Sequence, residues 1–201
     1  MSRAKPEPKY TRLTSEERRA ELIAAGLSCM ARGGIQEFTV DRICTEAGVS
    51  RGLITHHFGS MNGLLAAVYA AMYQEDAGLP RAPRSGETRL SALLDALFAP
   101  AAFNRERLTI WLTLWGQISI NPELGDEHRA QYAGYLNTVA TAIDEVARAR
   151  GRTVESRTLA KTLICLVDGL GLQHCIDPEA MPPETAMAAC RDLLEPHLGA
   201  L

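Results

Sequence analysis

The sequence of 201 residues lacks a long apolar run. No stretch approaches the roughly 18 uninterrupted apolar residues of a membrane-spanning helix, and residues 2–19 are polar and basic where a secretion signal would be apolar. We therefore expect a cytoplasmic protein with no membrane partner. Disorder as the main state is also excluded, because 46% of the residues are hydrophobic and can offset the chain entropy lost on folding.

The sequence has five cysteines, and no two of them are close together along the chain. No two of the five cysteines are spaced as C-x-x-C, and a zinc site usually needs four closely spaced ligands, so we expect neither a metal nor a cofactor. We interpret the thiols as reduced and as small apolar side chains. A redox-sensing role stays open, since it depends on a thiolate stabilised by its surroundings. The cysteines are Cys29, Cys44, Cys165, Cys175 and Cys190.

A net positive charge is missing as well. The chain has 21 Lys and Arg against 24 Asp and Glu, a net charge of −3, whereas nucleic-acid-binding proteins are often basic overall. The charge is uneven, however, because residues 1–63 carry nine bases against seven acids and residues 64–201 carry twelve against seventeen. Within residues 1–13 there are four bases and one acid. Such a basic arm can contact phosphates through Lys9 and Arg12; a solvated, disordered terminus is the alternative.

The apolar residues that are present recur at helical spacing along almost the whole chain, and no alternating run indicates a strand. The predicted fold is therefore all-α. A segment rich in proline and glycine at residues 78–86 separates a compact N-terminal group of helices from a longer helical body. About nine helices are expected, over residues 15–32, 40–47, 50–57, 61–74, 87–99, 105–120, 122–150, 154–176 and 182–198.

Residues 39–58, TVDRICTEAGVSRGLITHHF, predict two short helices joined by a tight turn. In such a helix-turn-helix the first helix braces the second, which can then enter the major groove of DNA. Gly48 suits the turn because a left-handed backbone costs glycine nothing, and Ser50 is expected to cap the second helix. Gly52 either lets DNA approach closely or serves helix packing. The candidate DNA contacts are Thr39, Arg42, Ser50, Arg51, Gly52, Thr55 and His56.

This segment and its flanks resemble the DNA-binding domain of the tetracycline-repressor (TetR) family. The matching residues are Gly34, Thr39, Ile43, Ala47, Gly48, Val49, Ser50, Gly52, Phe58, Leu64 and Leu65. The resemblance covers residues 16–76 and implies a transcriptional repressor, not an enzyme, that binds double-stranded operator DNA. The remaining chain is then a flexible basic arm over residues 1–15 and a ligand-binding and dimerisation domain over residues 77–201.

Two residues depart from the family pattern. Thr55 stands where the family often has tyrosine, and Met61 stands where it often has a lysine that contacts phosphate. Each lost phosphate contact lowers the logarithmic salt dependence of DNA binding by about 0.9. The arm residues, or Arg42 and Arg51, are expected to compensate.

The resemblance also implies a homodimer formed through residues 154–176 and 182–198, which would pack as a four-helix bundle across a two-fold axis. The residues agree with this expectation. Residues 159–172 are apolar nearly all round and must be buried on more than one side.

A small-molecule effector in the C-terminal domain is a further implication of the family. Residues 50–58 and 62–65 most resemble the choline-responsive, BetI-type members. Trp111 and Trp115 lie four residues apart, hence on one helix face, and with Asp168 they can cage a quaternary ammonium group. Two alternatives stay open: the tryptophans serve packing while Asp168 caps or pairs locally, or an apolar pocket takes an unrelated ligand.

Two other function classes compete with the regulator. The loss of a lysine at Met61 would suit a helical adaptor or ligand-binding protein that no longer binds DNA. An enzyme is disfavoured, because His56 and His57 point about 100° apart on a helix and the sequence has no Ser–His–acid spacing, phosphate-binding glycine loop or metal pair.

Overall fold

The computed structural model describes residues 13–78 and 83–200, without the side chains of residues 76–78. The predicted arm contacts Lys9 and Arg12 lie outside the described residues. The described ranges hold nine α-helices and no strand, which confirms the all-α prediction. The helices are α1 (Ser15–Gly33), α2 (Val40–Ala47), α3 (Gly52–Phe58), α4 (Met61–Gly78), α5 (Arg89–Leu97), α6 (Arg105–Ile118), α7 (Pro122–Ala149), α8 (Ser156–Ile176) and α9 (Pro183–Leu198).

Side chains just ahead of the first two helices determine where they begin. The Thr14 hydroxyl accepts from the Glu17 amide at 3.2 Å, and the Thr14 amide donates to the Glu17 carboxylate at 2.7 Å, which forms a capping box at α1. The Thr39 hydroxyl opens α2 by accepting from the Arg42 amide. Gly34, with φ of 67°, ends α1 in a backbone conformation that other residues rarely adopt.

Local geometry differs from the sequence prediction at three places. The expected side-chain cap from Ser50 is wrong, because the chain enters α3 through a tight turn in which the Ser50 carbonyl accepts from the Leu53 amide at 3.1 Å. This backbone bond satisfies an amide that the side chain would otherwise have capped. A short 3₁₀ turn at Gly34–Glu37 follows α1 and has no signal in the apolar spacing. α4 continues four residues past its predicted end, since no helix breaker precedes Gly78.

Two clusters of buried side chains hold the helices together. The N-terminal core joins α1–α4 to α6 and α7, and the C-terminal core joins α5, α7, α8 and α9. The N-terminal helices meet the body at α6 as well as at α4, because Ile110 and Leu114 of α6 belong to the same core as Leu22 of α1. α1 and the short 3₁₀ turn after it therefore pack directly on α6.

Burial decides the chemistry of most of the cysteines. Cys29, Cys44 and Cys190 are buried, and burial raises the pKa of each thiol, that of Cys190 to about 12. These thiols stay protonated and act as small apolar side chains. Cys175 is half-buried with a raised pKa, and Cys165 is exposed on α8. In the described part of the chain, no group of three or more His, Cys, Asp or Glu is placed to hold a metal ion.

Of the helices described, α8 is the one that is long and apolar enough to cross a membrane by length and composition. This is weak evidence for a membrane span, because the core helix of a soluble protein passes the same test. Leu159, Leu163 and Leu170 pack into the C-terminal core, whereas Leu172 and Ile176 are 41% and 67% exposed. α8 therefore has one buried face and one apolar face open to solvent in the single chain.

Candidate DNA-binding face and ligand cavity

The turn between α2 and α3 holds the two helices in a fixed orientation. Gly48 adopts the left-handed conformation (φ 63°, ψ 36°) that the turn requires, as predicted. The Val49 amide donates to the Cys44 carbonyl at 2.9 Å, and the Val49 side chain packs against the N-terminal core. Ile43 of α2 and Ile54 of α3 are buried in that core. The opposite face of α3 consequently points to solvent.

The predicted DNA contacts among the described residues lie at the start of α2, in the turn before α3 and along α3, a surface that we call the candidate DNA-binding face. All of them are exposed: Thr39, Arg42, Ser50, Arg51, Gly52, Thr55 and His56. A Cβ atom built at Gly52 would meet no atom within 4 Å, so packing within the chain does not explain this glycine. Its bare backbone leaves the start of α3 open to close approach by another molecule.

Both arginines of this face are paired with carboxylates in the free protein. Arg51 contacts Asp41 at 2.5 Å, and Arg42 contacts Glu37 at 2.6 Å. Exposed ion pairs contribute little to stability because water screens them. Phosphate groups can therefore replace the carboxylates at small cost, although the two acids lower the positive potential of the face.

A third arginine, Arg19, positions α3 and was missed by the sequence analysis. Its guanidinium lies 4.3 Å from the centre of the Phe58 ring and donates to the His57 carbonyl at 2.7 Å. These contacts tie α1 to the last turn of α3, and no short spacing in the sequence indicates them. Gly63 serves the same junction, because a Cβ there would lie 2.1 Å from the Phe58 carbonyl oxygen.

Met61, the position at which an expected lysine is lacking, is the first residue of α4 and is half-buried against the N-terminal core. The next three residues of α4 are Asn62, Gly63 and Leu64, so no neighbour in the first turn replaces the missing cation. Any compensating phosphate contact must come from elsewhere on the protein.

A cavity of about 360 Å³ lies between α4, α5, α6, α7 and α8. Its wall brings together Trp111, Trp115 and Asp168, the three residues that the sequence suggests for a cation site. It also includes Tyr73 of α4 and Tyr135 of α7, which the sequence analysis missed. Each of these tyrosines lies one helical turn from another tyrosine, a pattern equally typical of core packing.

The four aromatic rings form a continuous wall. Tyr73 and Trp111 meet edge to face with centroids 5.0 Å apart, and Trp111 stacks on Trp115 at 5.7 Å. Tyr135 lies 6.3 Å from Tyr73, centroid to centroid. Because aromatic faces attract cations through the ring quadrupole, and tryptophan does so most strongly, this wall suits a positive charge.

Asp168 supplies the carboxylate of the cavity. Burial raises its pKa from the ordinary value of 3.8 to about 6, so the group is mostly ionised at pH 7 and above. Among the described residues it accepts no hydrogen bond and forms no ion pair. The alternative that Asp168 caps or pairs locally is therefore not supported. Asp168 is half-buried, and a charge that loses part of its hydration without gaining a partner is costly; such groups concentrate at functional sites.

Tyr69 of α4 and His128 of α7 connect two of the helices that form the cavity wall. The Tyr69 hydroxyl and the His128 Nδ1 share a hydrogen bond of 2.6 Å between α4 and α7. The Tyr69 ring packs against Trp111 and Tyr73, with centroids 5.6 Å and 5.1 Å away. Burial lowers the pKa of His128 and raises that of Tyr69, so both are neutral near pH 7. This aromatic cluster therefore includes residues of α4, a helix that also packs against α3.

Two family models match the chain. The model described as bacterial regulatory proteins, tetR family, matches residues 22–68, and the model described as BetI-type transcriptional repressor, C-terminal, matches residues 86–199. The HTH-type transcriptional regulator BetI of Cronobacter sakazakii is 31% identical over 187 residues, which cover 90% of this chain and 91% of that protein. The BetI regulator of Escherichia coli is 29% identical over 187 residues, with 90% and 94% covered.

Solved structures share the whole fold. A protein from Pseudomonas aeruginosa described as a transcriptional regulator is 32% identical with a TM-score of 0.80, and 92% of each chain is covered. A regulator from Saccharomonospora viridis, solved in complex with choline, is 23% identical with a TM-score of 0.74, and covers 90% of this chain and 96% of its own. At that identity the second similarity concerns the fold alone.

Proposed function

Because the chain belongs to the tetracycline-repressor family of transcriptional regulators and has a BetI-type C-terminal domain, we propose that it is a dimeric repressor controlled by a quaternary ammonium ligand. In this proposal α3 of each subunit enters the major groove of operator DNA in the cytoplasm. The ligand occupies the cavity and favours a conformation in which the two α3 helices are wrongly spaced for the two half-sites.

The observation that carries the ligand assignment is the Asp168 carboxylate, which lies beside four aromatic rings and has no hydrogen-bond or ion-pair partner among the described residues. A buried primary ammonium needs an acceptor for each N–H, and the cavity wall supplies one carboxylate. A quaternary ammonium has no N–H, and aromatic faces together with one anion satisfy its diffuse charge. The choline bound to the Saccharomonospora viridis protein, which has the same fold, supports this choice.

The affinity for choline is expected to fall as the pH falls through 6. Asp168 must be ionised to attract the cation, and with a pKa of about 6 only about a tenth of it is ionised at pH 5. Calorimetric titration should therefore give a dissociation constant about tenfold larger at pH 5 than at pH 8.

The titratable groups near Asp168 are not expected to cause the change in choline affinity. Tyr69 and Tyr132 have raised pKa values and stay protonated over the whole range. His128 contacts Tyr69, and burial lowers its pKa below the ordinary value of 6.5, which favours the neutral ring. An affinity that does not change between pH 8 and pH 5 would contradict the role of Asp168, and heat no different from buffer at pH 8 would refute the ligand class.

The predicted DNA contacts form two groups, one assigned to base edges and the other to phosphates. Arg51, Thr55 and His56 are assigned to base edges, because they lie on the outward side of the helix that enters the groove. The residues at the starts of the two helices are assigned to phosphates. These phosphate contacts are Thr39, Arg42, Ser50 and, from the arm, Lys9 and Arg12.

Arg51→Ala is expected to weaken operator binding about fivefold or more, since a lost base contact of this kind costs about 1–3 kcal/mol. The matched variant Asp41→Asn removes the carboxylate that pairs with Arg51 at 2.5 Å, so it should strengthen binding severalfold. Gel-shift titrations of both variants at several salt concentrations make the measurement. Near-unchanged affinity of Arg51→Ala would remove this residue from the DNA site.

Dimerisation is assigned to α8 and α9. Cys165, Gly169, Leu172 and Ile176 lie along one exposed face of α8 at helical spacing. A Cβ at Gly169 would meet no atom within 4 Å, which leaves room for a close partner helix. Burial of this apolar face against a second copy would explain why residues 159–172 are apolar nearly all round.

Tyr69→Phe is expected to weaken the coupling between choline and operator DNA while retaining the affinity for each alone. The variant keeps the ring against Trp111 but removes the hydrogen bond to His128, which joins α4 to α7. Coupling free energies are typically 1–3 kcal/mol, so the choline-induced loss of operator affinity should shrink severalfold. Operator titrations with and without saturating choline measure this, and an unaltered ratio would exclude the Tyr69–His128 link from the transmission.

A further inference from the structure

The cavity extends well beyond Asp168 and the four aromatic rings. The Phe103 ring lies 4.8 Å from the His174 ring, and Leu108 lies against Gly171, so α6 and α8 run in opposite directions along the cavity. From Leu108 to Trp115 the α6 axis rises about 10 Å. Toward Trp115, the cavity wall consists of the four aromatic rings and the Asp168 carboxylate. The lining residues contributed by α5, by the loop before α6 and by the start of α6 are all apolar, and we call this part of the cavity its apolar end: Leu93, Ala96, Leu97, Ala102, Phe103 and Leu108.

The size of the cavity exceeds what choline fills. Choline has seven non-hydrogen atoms and occupies on the order of 130 Å³ at the packing density of a protein interior, against about 360 Å³ in the cavity. With its ammonium group among the rings, choline leaves the apolar end empty. A ligand that reaches this end gains from burying its own apolar surface and from dispersion contacts with the wall.

The charge of the wall restricts the ligand further. Asp168 is the one charged residue among the described residues that line the cavity, and none of them is Lys, Arg or His. Two polar groups on α7 are already engaged, because the Gln131 amide donates to Glu127 at 2.7 Å and the Thr138 hydroxyl donates to the Gly134 carbonyl at 3.2 Å. A carboxylate or phosphate on the ligand would therefore meet the like charge of Asp168 and no cation from the described wall residues.

We infer that the effector is a quaternary ammonium compound with an apolar aryl or acyl substituent of about six to ten non-hydrogen atoms and with no negative charge. The inference rests on the proposed function and narrows its ligand class. The ammonium group lies among the rings beside Asp168, and the substituent lies between α5 and the start of α6.

Calorimetric titration of the full chain with a matched series of cations tests this inference. Benzyltrimethylammonium should bind ten- to a hundredfold more tightly than tetramethylammonium, because it buries a phenyl ring in the apolar end. Glycine betaine is close in size to choline but carries a carboxylate, so it should bind at least tenfold more weakly than choline. Equal affinity for the benzyl and tetramethyl cations would overturn the inference while leaving the proposed function intact. Failure of every cation to bind would instead refute the proposed function.

Two variants locate the substituent within the cavity. Ala96→Phe fills the apolar end from α5, and Ala102→Leu fills it less drastically from the loop before α6. Each should abolish the advantage of benzyltrimethylammonium while keeping the tetramethylammonium affinity within about twofold. A correctly folded variant of either kind that still prefers the benzyl cation as strongly as the unaltered protein would place the substituent elsewhere and contradict the inference.

Discussion

Asp168→Asn is expected to abolish the binding of quaternary ammonium ions while leaving the protein folded. Asparagine has the shape of aspartate without its charge, so the cation loses the anion of the cavity wall. Removing one member of a desolvated charge pair costs about 2–5 kcal/mol, which is at least a thirtyfold loss of affinity. Calorimetric titration with choline and with tetramethylammonium at pH 8 measures the effect.

The same substitution is expected to raise the thermal stability of the unliganded protein. The folded-state pKa of Asp168 is about 6, above its ordinary 3.8, so folding disfavours the ionised form. This cost is present in full above pH 6 and disappears as the pH falls below 3.8. At pH 7.5 the neutral side chain removes a cost on the order of 3 kcal/mol, which the burial of an unpaired amide partly restores.

A higher melting temperature combined with lost binding distinguishes a ligand-binding carboxylate from a structural one. Asp126→Asn is the matched control, because it removes the same charge from an exposed site on α7 and should change neither the affinity nor the melting temperature appreciably. Choline binding that survives in Asp168→Asn, or a melting temperature that falls, would show that the carboxylate supports the fold instead.

Gly52→Ala is expected to weaken operator binding thirtyfold or more without harming the fold. Alanine favours a helix over glycine by up to about 1 kcal/mol, and the new Cβ would meet no atom of the protein within 4 Å. In the complex, by contrast, the methyl group occupies the space that DNA needs in order to approach the start of α3. Gel-shift titration combined with a thermal melt separates the two effects.

Gly116→Ala provides the control for this prediction. Gly116 is exposed in α6, and its Cβ would also meet no atom within 4 Å, so the variant should gain similar helix stability and bind the operator normally. If Gly52→Ala binds the operator as tightly as the unaltered protein, α3 does not approach DNA through its bare N-terminal turn, and the proposed docking is wrong.

Local chemistry explains how much of the fold the sequence predicts. The capping threonines, Gly34 and Gly48 act within a few residues of themselves, so helix boundaries near them agree closely with the prediction. The predicted side-chain cap at Ser50 is absent because a backbone turn forms there instead. This turn depends on the packing of α2 against α3, which the preference of serine for helix caps does not reflect. The packing of α6 against α1 depends on residues some ninety positions apart, which periodicity does not register.

In the candidate sites, too, features set by neighbouring residues are predictable from the sequence, whereas contacts between distant helices are not. Trp111 and Trp115 are neighbours on one helix, and their spacing alone predicts a shared face. Tyr73, Tyr135 and Arg19 act through contacts between helices that are distant in sequence, so their roles emerge only in the folded chain. The uneven charge of the chain does not describe the local charge of the candidate DNA-binding face, since Asp41 and Glu37 pair with its two arginines.

We propose that operator binding and cation binding are coupled in one dimeric protein. The most direct measurement is a gel shift at low salt with DNA flanking the protein's own gene, titrated with choline and benzyltrimethylammonium. We predict retardation by two chains per operator that both cations reverse, and retardation of the same operator by Asp168→Asn that neither cation reverses. No retardation at low salt, or retardation of the unaltered protein that persists at saturating cation, would contradict the claim.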